Sequence, residues 1–346
     1  MTMPASDALD DFVEAVLARA PSLSVGVLGD LFLDRYFDLD ATLTEPSLET
    51  GLDAYQVVRV RPSPGAAGTV INNVAALGVG RVLPVAVIGD DGEGYELRRA
   101  LAGLGVVELG HVFAWEGRRT PTYTKPMLFR PGEPARELNR LDIQNRSPFP
   151  AGAEERVCRA LEEVFGQVDA LLVLDQVRDA DCGVVTERVR ERLAHLAGAQ
   201  PGLFVLADSR ARVGSFRGVC LKPNERECRE AVPADNLPEA VRRLGRRAGR
   251  PVFCTRGERG IWLFDPGAGE EVRHVPAYPV RGPVDPVGAG DSASAGIACA
   301  RAAGGGLEQA AAFGNLVASV TVQQVGTTGT ATPDQVRQRW REVCGA

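Results

Sequence analysis

The chain has 346 residues, of which 45% are hydrophobic and 24% charged, and a formal net charge of −6. That balance fits a soluble globular protein with enough core for one large α/β domain or two smaller ones. A mildly acidic chain without basic runs is not built to attract nucleic acid or an anionic membrane, and no apolar stretch approaches the length of a bilayer span.

The amino terminus, Met1 to Ala20, is acidic and amphipathic rather than signal-like, which points to the cytoplasm. From there, short β-rich runs repeatedly end in Gly or Asp and give way to helical patterns. Leu23 to Leu28 ends at Gly29-Asp30 and Val82 to Ile88 at Gly89-Asp90. Ala170 to Leu174 ends at Asp175, Leu203 to Ala207 at Asp208, and Val252 to Cys254 at Thr255-Arg256-Gly257. This is the rhythm of a mostly parallel sheet with crossover helices, in which ligands gather beyond the carboxyl ends of the strands. Singly, each of these Asp and Gly residues is also an ordinary turn residue.

Two segments break the rhythm, Leu31 to Arg61 and His111 to Asp142, and alternation such as Tyr123-Thr124-Lys125-Pro126-Met127-Leu128-Phe129 predicts extended antiparallel strands there. They are read as a small β-sheet lid inserted into a single domain spanning 1–346. Gly304-Gly305-Gly306 reads as a helix stop. The seven cysteines include no C-x-x-C pair, which is reduced-thiol usage, and His111, His195 and His274 are too far apart in sequence to suggest a zinc site.

The segment Val284-Asp285-Pro286-Val287-Gly288-Ala289-Gly290-Asp291-Ser292 leads into a run of small residues and predicts a helix that opens on Asp291. Backbone N–H groups of Gly288, Ala289 and Gly290 would lack intrahelical acceptors and, with the helix dipole, would favour an anion. Asp291 would then suit a general base beside a transferring phosphoryl group. Alone, the string reads more simply as a turn and a helix cap. It also fits a G-x-G-x-x-A dinucleotide pattern, but Pro279, Pro283 and Pro286 oppose the strand that such a pattern should close. Only Lys125 and Lys222 are lysines, and no Gly-Lys pair exists, so a Walker A loop is excluded.

Taken together, these segments resemble the ribokinase or phosphofructokinase-B type sugar kinases, and among them the bacterial heptose-7-phosphate kinases, nearly end to end. Gly29-Asp30-Leu31-Phe32-Leu33-Asp34-Arg35-Tyr36 is similar to G-D-x-x-L-D-R-Y, and Gly65 to Gly78 resembles the first family signature. Pro121 to Lys125 and Asn139-Arg140-Leu141-Asp142 look like lid segments, and Lys222-Pro223-Asn224-Glu225-Arg226-Glu227 resembles the N-x-x-E motif. Thr255 to Gly260 looks like the turn bordering the nucleotide, Asp285 to Asp291 matches the second signature, and Ala312-Phe313-Gly314-Asn315 is similar to the stretch near the adenine.

The resemblance implies a ribokinase-like α/β fold and ATP-dependent phosphorylation of a sugar or sugar-phosphate hydroxyl, with heptose 7-phosphate at its anomeric position as one candidate. It assigns Asp291 as base, with Gly288, Ala289 and Gly290 as the anion hole. Asp34, Gly65, Ala66, Thr69, Lys125 and Arg140 would meet the acceptor. Thr255, Gly257, Gly260 and Asn315 would border ATP, and Asn224 and Glu227 would organise Mg²⁺ through water, with a monovalent cation as an optional activator. It also implies a homodimer formed through the lid. Two departures concern the acceptor: Ala66 stands where the signature has its second Gly, and Thr69 where it has a sugar-contacting Asn. In addition, Asp175-Gln176 replaces Asp-Tyr, and no H-x-G-H of a nucleotidyltransferase half is present. These departures leave the sugar open, together with two competing readings, a non-catalytic sugar sensor and a nucleoside kinase.

Overall fold

In the computed structural model, which describes residues 6–326 and 328–344, a nine-stranded sheet forms the centre. Its strands run in the order Val272–Val275, Ile261–Phe264, Val252–Thr255, Cys220–Leu221, Phe204–Ser209, Ala170–Asp175, Ser24–Gly29, Arg81–Gly89, Val112–Trp115. Pairing is parallel from Val112–Trp115 through Val252–Thr255, and the last two strands in sequence add antiparallel at one edge.

Alternation within the strands feeds two cores. Val25, Val27, Val82, Ala86 and Leu172 face one set of helices, while Leu28, Leu83, Val85, Leu171 and Val173 face the other. Both faces of a parallel sheet are covered, which is why these strands read as nearly continuous apolar runs. The chain first builds outward from Ser24–Gly29 to Val112–Trp115 and then returns to the other side at Ala170–Asp175. The order therefore reverses between Ser24–Gly29 and Ala170–Asp175, and the crevice at their carboxyl ends is where a ligand is expected in such a sheet.

The predicted strands and their polar ends fall where the sequence puts them, within a residue or two. The lid boundaries are shifted. Leu31–Asp40 pairs antiparallel with Val57–Ala66 and parallel with Thr122–Phe129, which in turn pairs with Leu141–Ile143. Val112–Trp115, included in the predicted lid, is instead the edge strand of the main sheet, and the second half of the lid begins at Thr122. The apolar pair Val112 and Phe113 belongs to the main core, so packing rather than sequence proximity to the lid decides its place. At the lid's base, Arg35 bonds Glu96 and Glu93 on the helix Gly92–Ala102.

Candidate active site

Asp291 lies in the first turn of the helix Ala289–Ala302, whose N-cap, Gly288, has the left-handed φ of 79° that glycine tolerates without strain. A Cβ there would also lie 2.7 Å from Thr328 Cγ2. Of the three amides expected to form an anion hole, that of Ala289 donates to the Pro286 carbonyl at 3.2 Å. Among the described residues, the amides of Gly288, Gly290 and Asp291 itself make no backbone hydrogen bond, so donors remain at the helix mouth, with the Asp291 amide in place of that of Ala289.

Asp291 is half-buried. Its pKa is pushed up to about 7, first by desolvation and then by the nearby Asp208 and Glu227, while Lys222 and Arg210 pull the other way. A carboxylate poised there can gain and lose a proton near neutrality. Lys222 is buried with its Nζ 2.8 Å from Asp208 Oδ2. Burial pulls the Lys222 pKa down, but Asp208, Asp291 and Glu227 outweigh it and keep the ammonium charged. A Cβ built on Gly290 would sit 3.5 Å from that Nζ, so the ammonium faces the helix mouth. Sequence reasoning singled out Lys222 for its rarity alone. Its pairing with Asp208 joins two strand ends that are distant in sequence, and no local pattern announces it.

Asn224 and Glu227 form a reciprocal capping box on the helix Glu225–Ala231: Glu227 N donates to Asn224 Oδ1 and Asn224 N to Glu227 Oε2, both at 2.9 Å. The box fixes both side chains. Burial first, then Asp208, raises the Glu227 pKa. Among the described residues, no three His, Cys, Asp or Glu side chains converge as a direct metal site. Oxygen donors such as the Glu227 carboxyl and the Asn224 amide fit a hard cation.

A cleft of about 900 Å³ opens beside the helix mouth, lined by Thr255, Gly257, Gly260, Ala289, Gly290 and Asn315 among others. All four residues expected to border a nucleotide thus meet on one cleft, with two of the anion-hole residues at its end. Gly260 is obligatory there: its φ is 81°, and a Cβ would fall 2.2 Å from the Val275 carbonyl. Asn315 is committed differently from expectation, because its Nδ2 donates to the carbonyls of Val275 and Pro276 at 3.2 and 3.0 Å. It anchors the cleft wall and presents only its carbonyl oxygen for a ligand.

On the lid side, Lys125 Nζ bonds Asp34 Oδ2 at 3.0 Å and the Tyr36 hydroxyl at 3.2 Å. Burial depresses the Lys125 pKa, but Asp34 and Tyr36 outweigh it and raise it. A Cβ on Gly65 would lie 2.8 Å from Asp34 Oδ1, so the bare backbone makes room for that carboxylate. Thr69 lies on the buried helix Ala67–Ala76, its methyl 3.8 Å from the position of a Cβ on Gly288, which brings the lid-side helix to the mouth of the Asp291 helix. Arg140 stands apart: it pairs with Asp142 at 2.6 Å and stacks over Tyr123 on the lid surface.

Ala66 has φ 54° and ψ −118°, a conformation that only glycine adopts readily, and it caps the helix carrying Thr69. Strain of this kind costs on the order of 1 kcal/mol. Ala66→Gly should therefore raise the melting temperature by ~1–3 °C, even after allowing for the freer unfolded chain. Thermal unfolding followed by circular dichroism checks this, and a lower Tm would show that the backbone is relaxed as it stands.

The fold and these sites define a ribokinase-like α/β protein with a nucleotide-sized cleft on one side of a poised carboxylate. Its similarities agree. Arabidopsis thaliana ribokinase complexed with ribose and ATP superposes with a TM-score of 0.65 at 19% identity, covering 92% of this chain and 99% of that one. Escherichia coli phosphofructokinase-2 in complex with potassium gives 0.66 at 17% identity, covering 93% and 99%. The model of the pfkB family carbohydrate kinases matches residues 219–335. A curated relative, the bifunctional protein HldE of Trichlorobacter lovleyi, is 32% identical over 332 residues, 94% of this chain. The chain spans 64% of that relative's length. Residues 219–335 are thus similar to the pfkB family carbohydrate kinases, and nearly the whole chain to one part of the HldE relative.

Among the described residues, no helix is long and apolar enough to cross a membrane.

Proposed function

We propose that the protein transfers the γ-phosphoryl group of ATP to a hydroxyl of a sugar or sugar phosphate, with Asp291 taking the hydroxyl proton. The observation that carries this reading is the placement of a carboxylate with a pKa near 7 at an amide-lined helix mouth, directly beside a cleft of nucleotide size. Amides at the mouth and the Lys222 ammonium offer positive charge where negative charge grows on the transferring group. Asp34, held by Lys125, and the lid strands would orient the acceptor and keep water away. Mg²⁺ would supply charge neutralisation of the triphosphate when bound, and Asn224 and Glu227, fixed by their capping box, would organise it through water.

A coupled ADP-release assay with ATP, Mg²⁺ and a panel of sugars and sugar phosphates, headed by heptose 7-phosphate, tests the reading. Acceptor-dependent ADP release is expected, whereas sugar binding without turnover would select a sensor. The same assay with choline in place of potassium tests the monovalent cation.

We propose further that two copies pair through the lid. Val58 and Val60 lie on the outer lid strand with exposures of 56% and 47%, and Leu141 on the opposite edge is 64% exposed, an apolar surface that a lone subunit would leave in water. Light scattering after size exclusion should give twice the 36.8 kDa chain mass, and a Val58→Lys, Val60→Lys variant should elute as the monomer. A wild-type monomer at tens of micromolar would sink the pairing.

A further inference from the structure

Residues 176–186, between the strand Ala170–Asp175 and the helix Glu187–Ala199, form neither helix nor strand, yet Cys182, Gly183, Val184 and Val185 are buried. A buried backbone without a ladder must find its hydrogen-bond partners elsewhere. Charged side chains from outside the segment supply them. Asp30, 4% exposed, accepts the amides of Gln176 and Val177 on Oδ2 at 2.9 and 3.2 Å and that of Val184 on Oδ1 at 2.7 Å. Arg212, itself paired with the buried Asp175, donates to the carbonyls of Val177 and Arg178, and the buried Arg118 donates to that of Cys182 at 2.7 Å.

Asp30 differs from the two arginines in where it stands, between the main-sheet strand Ser24–Gly29 and the lid strand Leu31–Asp40. Its own amide donates to the Leu174 carbonyl at 3.2 Å, and its carbonyl accepts the amide of Ala67, the first residue of the helix that carries Thr69, at 3.0 Å. One residue thus joins the root of the lid, the helix Ala67–Ala76 and both ends of the loop. The contact is close: a Cβ on Gly183 would fall 2.7 Å from Asp30 Oδ1 and 2.9 Å from Val177 Cβ. A buried carboxylate is costly unless its oxygens are bonded, and charge-assisted bonds to amides are strong, so the loop is tied firmly to the lid root.

Loop and lid face each other across a cavity of about 240 Å³, lined by Leu31, Phe32 and Tyr123 on the lid side and by Gln176, Val177 and Val184 on the loop side. It opens where the strand order reverses, and among the described residues none lines both this cavity and the cleft that contains Asn315.

We infer that Asp30 is a positioning residue that holds the loop 176–184 as the fixed wall against which the lid seats the acceptor, and that it governs affinity for the acceptor and not for ATP. The inference rests on the kinase reading for the identity of the ligand, but not for the hold of Asp30 on the loop.

Two variants test it from opposite sides. Asp30→Asn puts an amide donor where three amides need acceptors, and Gly183→Ala leaves the carboxylate in place but drives a methyl against it. Steady-state rates are read with ribose, fructose 6-phosphate, mannose 6-phosphate and heptose 7-phosphate, and amide hydrogen exchange is followed by mass spectrometry without ligand. Each variant should raise the KM of the acceptor turned over fastest by ~10-fold or more while that of ATP stays within about twofold, and amides at 176–184 should exchange at least ~10-fold faster. A general loss of packing would move both KM values together, so the split separates positioning from stability. An unchanged acceptor KM or unchanged loop exchange in either variant that folds, or an equal rise in the ATP KM, overturns the inference. Gly183→Ala decides alone if Asp30→Asn does not fold. If no acceptor turns over, the kinase reading fails. Calorimetric binding of the same four sugars then takes the place of KM: binding weakened in the variants still supports the role of Asp30, and unchanged binding, or none, removes it.

Discussion

Asp291→Asn lowers kcat by ~10²- to 10⁴-fold and leaves the KM for ATP within about twofold. Asparagine keeps the shape and the helix mouth intact but cannot accept the hydroxyl proton, so the loss falls on the chemical step rather than on nucleotide binding. The pH dependence follows from the same group. Asp291 acts as a base only when ionised, and burial together with Asp208 raises its pKa to about 7. Turnover should therefore be low in acid, rise through pH about 7 and level off above it. The limb should be missing from the residual activity of Asp291→Asn. Steady-state rates across the pH range check both statements, and a limb that survives the substitution would assign the titration to another residue.

The parallel architecture and most strand ends were legible because each strand is an apolar run closed by Gly or Asp, a local signal. That one cleft gathers these residues was legible too: Thr255, Gly257 and Gly260 lie on one turn and Asn315 on a distant helix, yet each sits in a recognisable motif, and all of them line one cavity. Less accessible were roles set by long-range pairing. Asn315 belongs to a motif, but its use in holding the carbonyls of Val275 and Pro276 depends on how the strand Val272–Val275 docks. Lys125 and Arg140 looked like free cations because a sequence does not reveal that Asp34 and Asp142 neutralise them. Arg118, Arg146, Arg178 and Arg210 were invisible for the complementary reason: among 37 arginines, nothing local distinguishes those that fold onto one cavity. Val112–Trp115 reads as lid because it lies in the segment His111 to Asp142, which breaks the rhythm of strands and helices. Only pairing with Arg81–Gly89 puts it in the main sheet.

Lys222→Met should lower kcat at neutral pH by ~10²-fold or more and move the acid limb upward. Its ammonium is buried, faces the helix mouth and holds down the Asp291 pKa. Removing it takes away charge stabilisation of the transferring group and raises the pKa of the base, so less Asp291 is ionised at pH 7. It also strands Asp208 as a buried carboxylate without its ion-pair partner, which costs about 3–5 kcal/mol. Stability loss and catalytic loss can be separated by pairing the change with Asp208→Asn. The double variant removes the carboxylate that raises the Asp291 pKa along with the ammonium that lowers it, so the limb should return towards its original position and the melting temperature should recover. The rate should not recover, because the cation at the mouth is still missing. Full recovery of kcat in the double variant would mean that Lys222 serves only to neutralise Asp208, and that the amides at the helix mouth carry the transferring phosphoryl group without it.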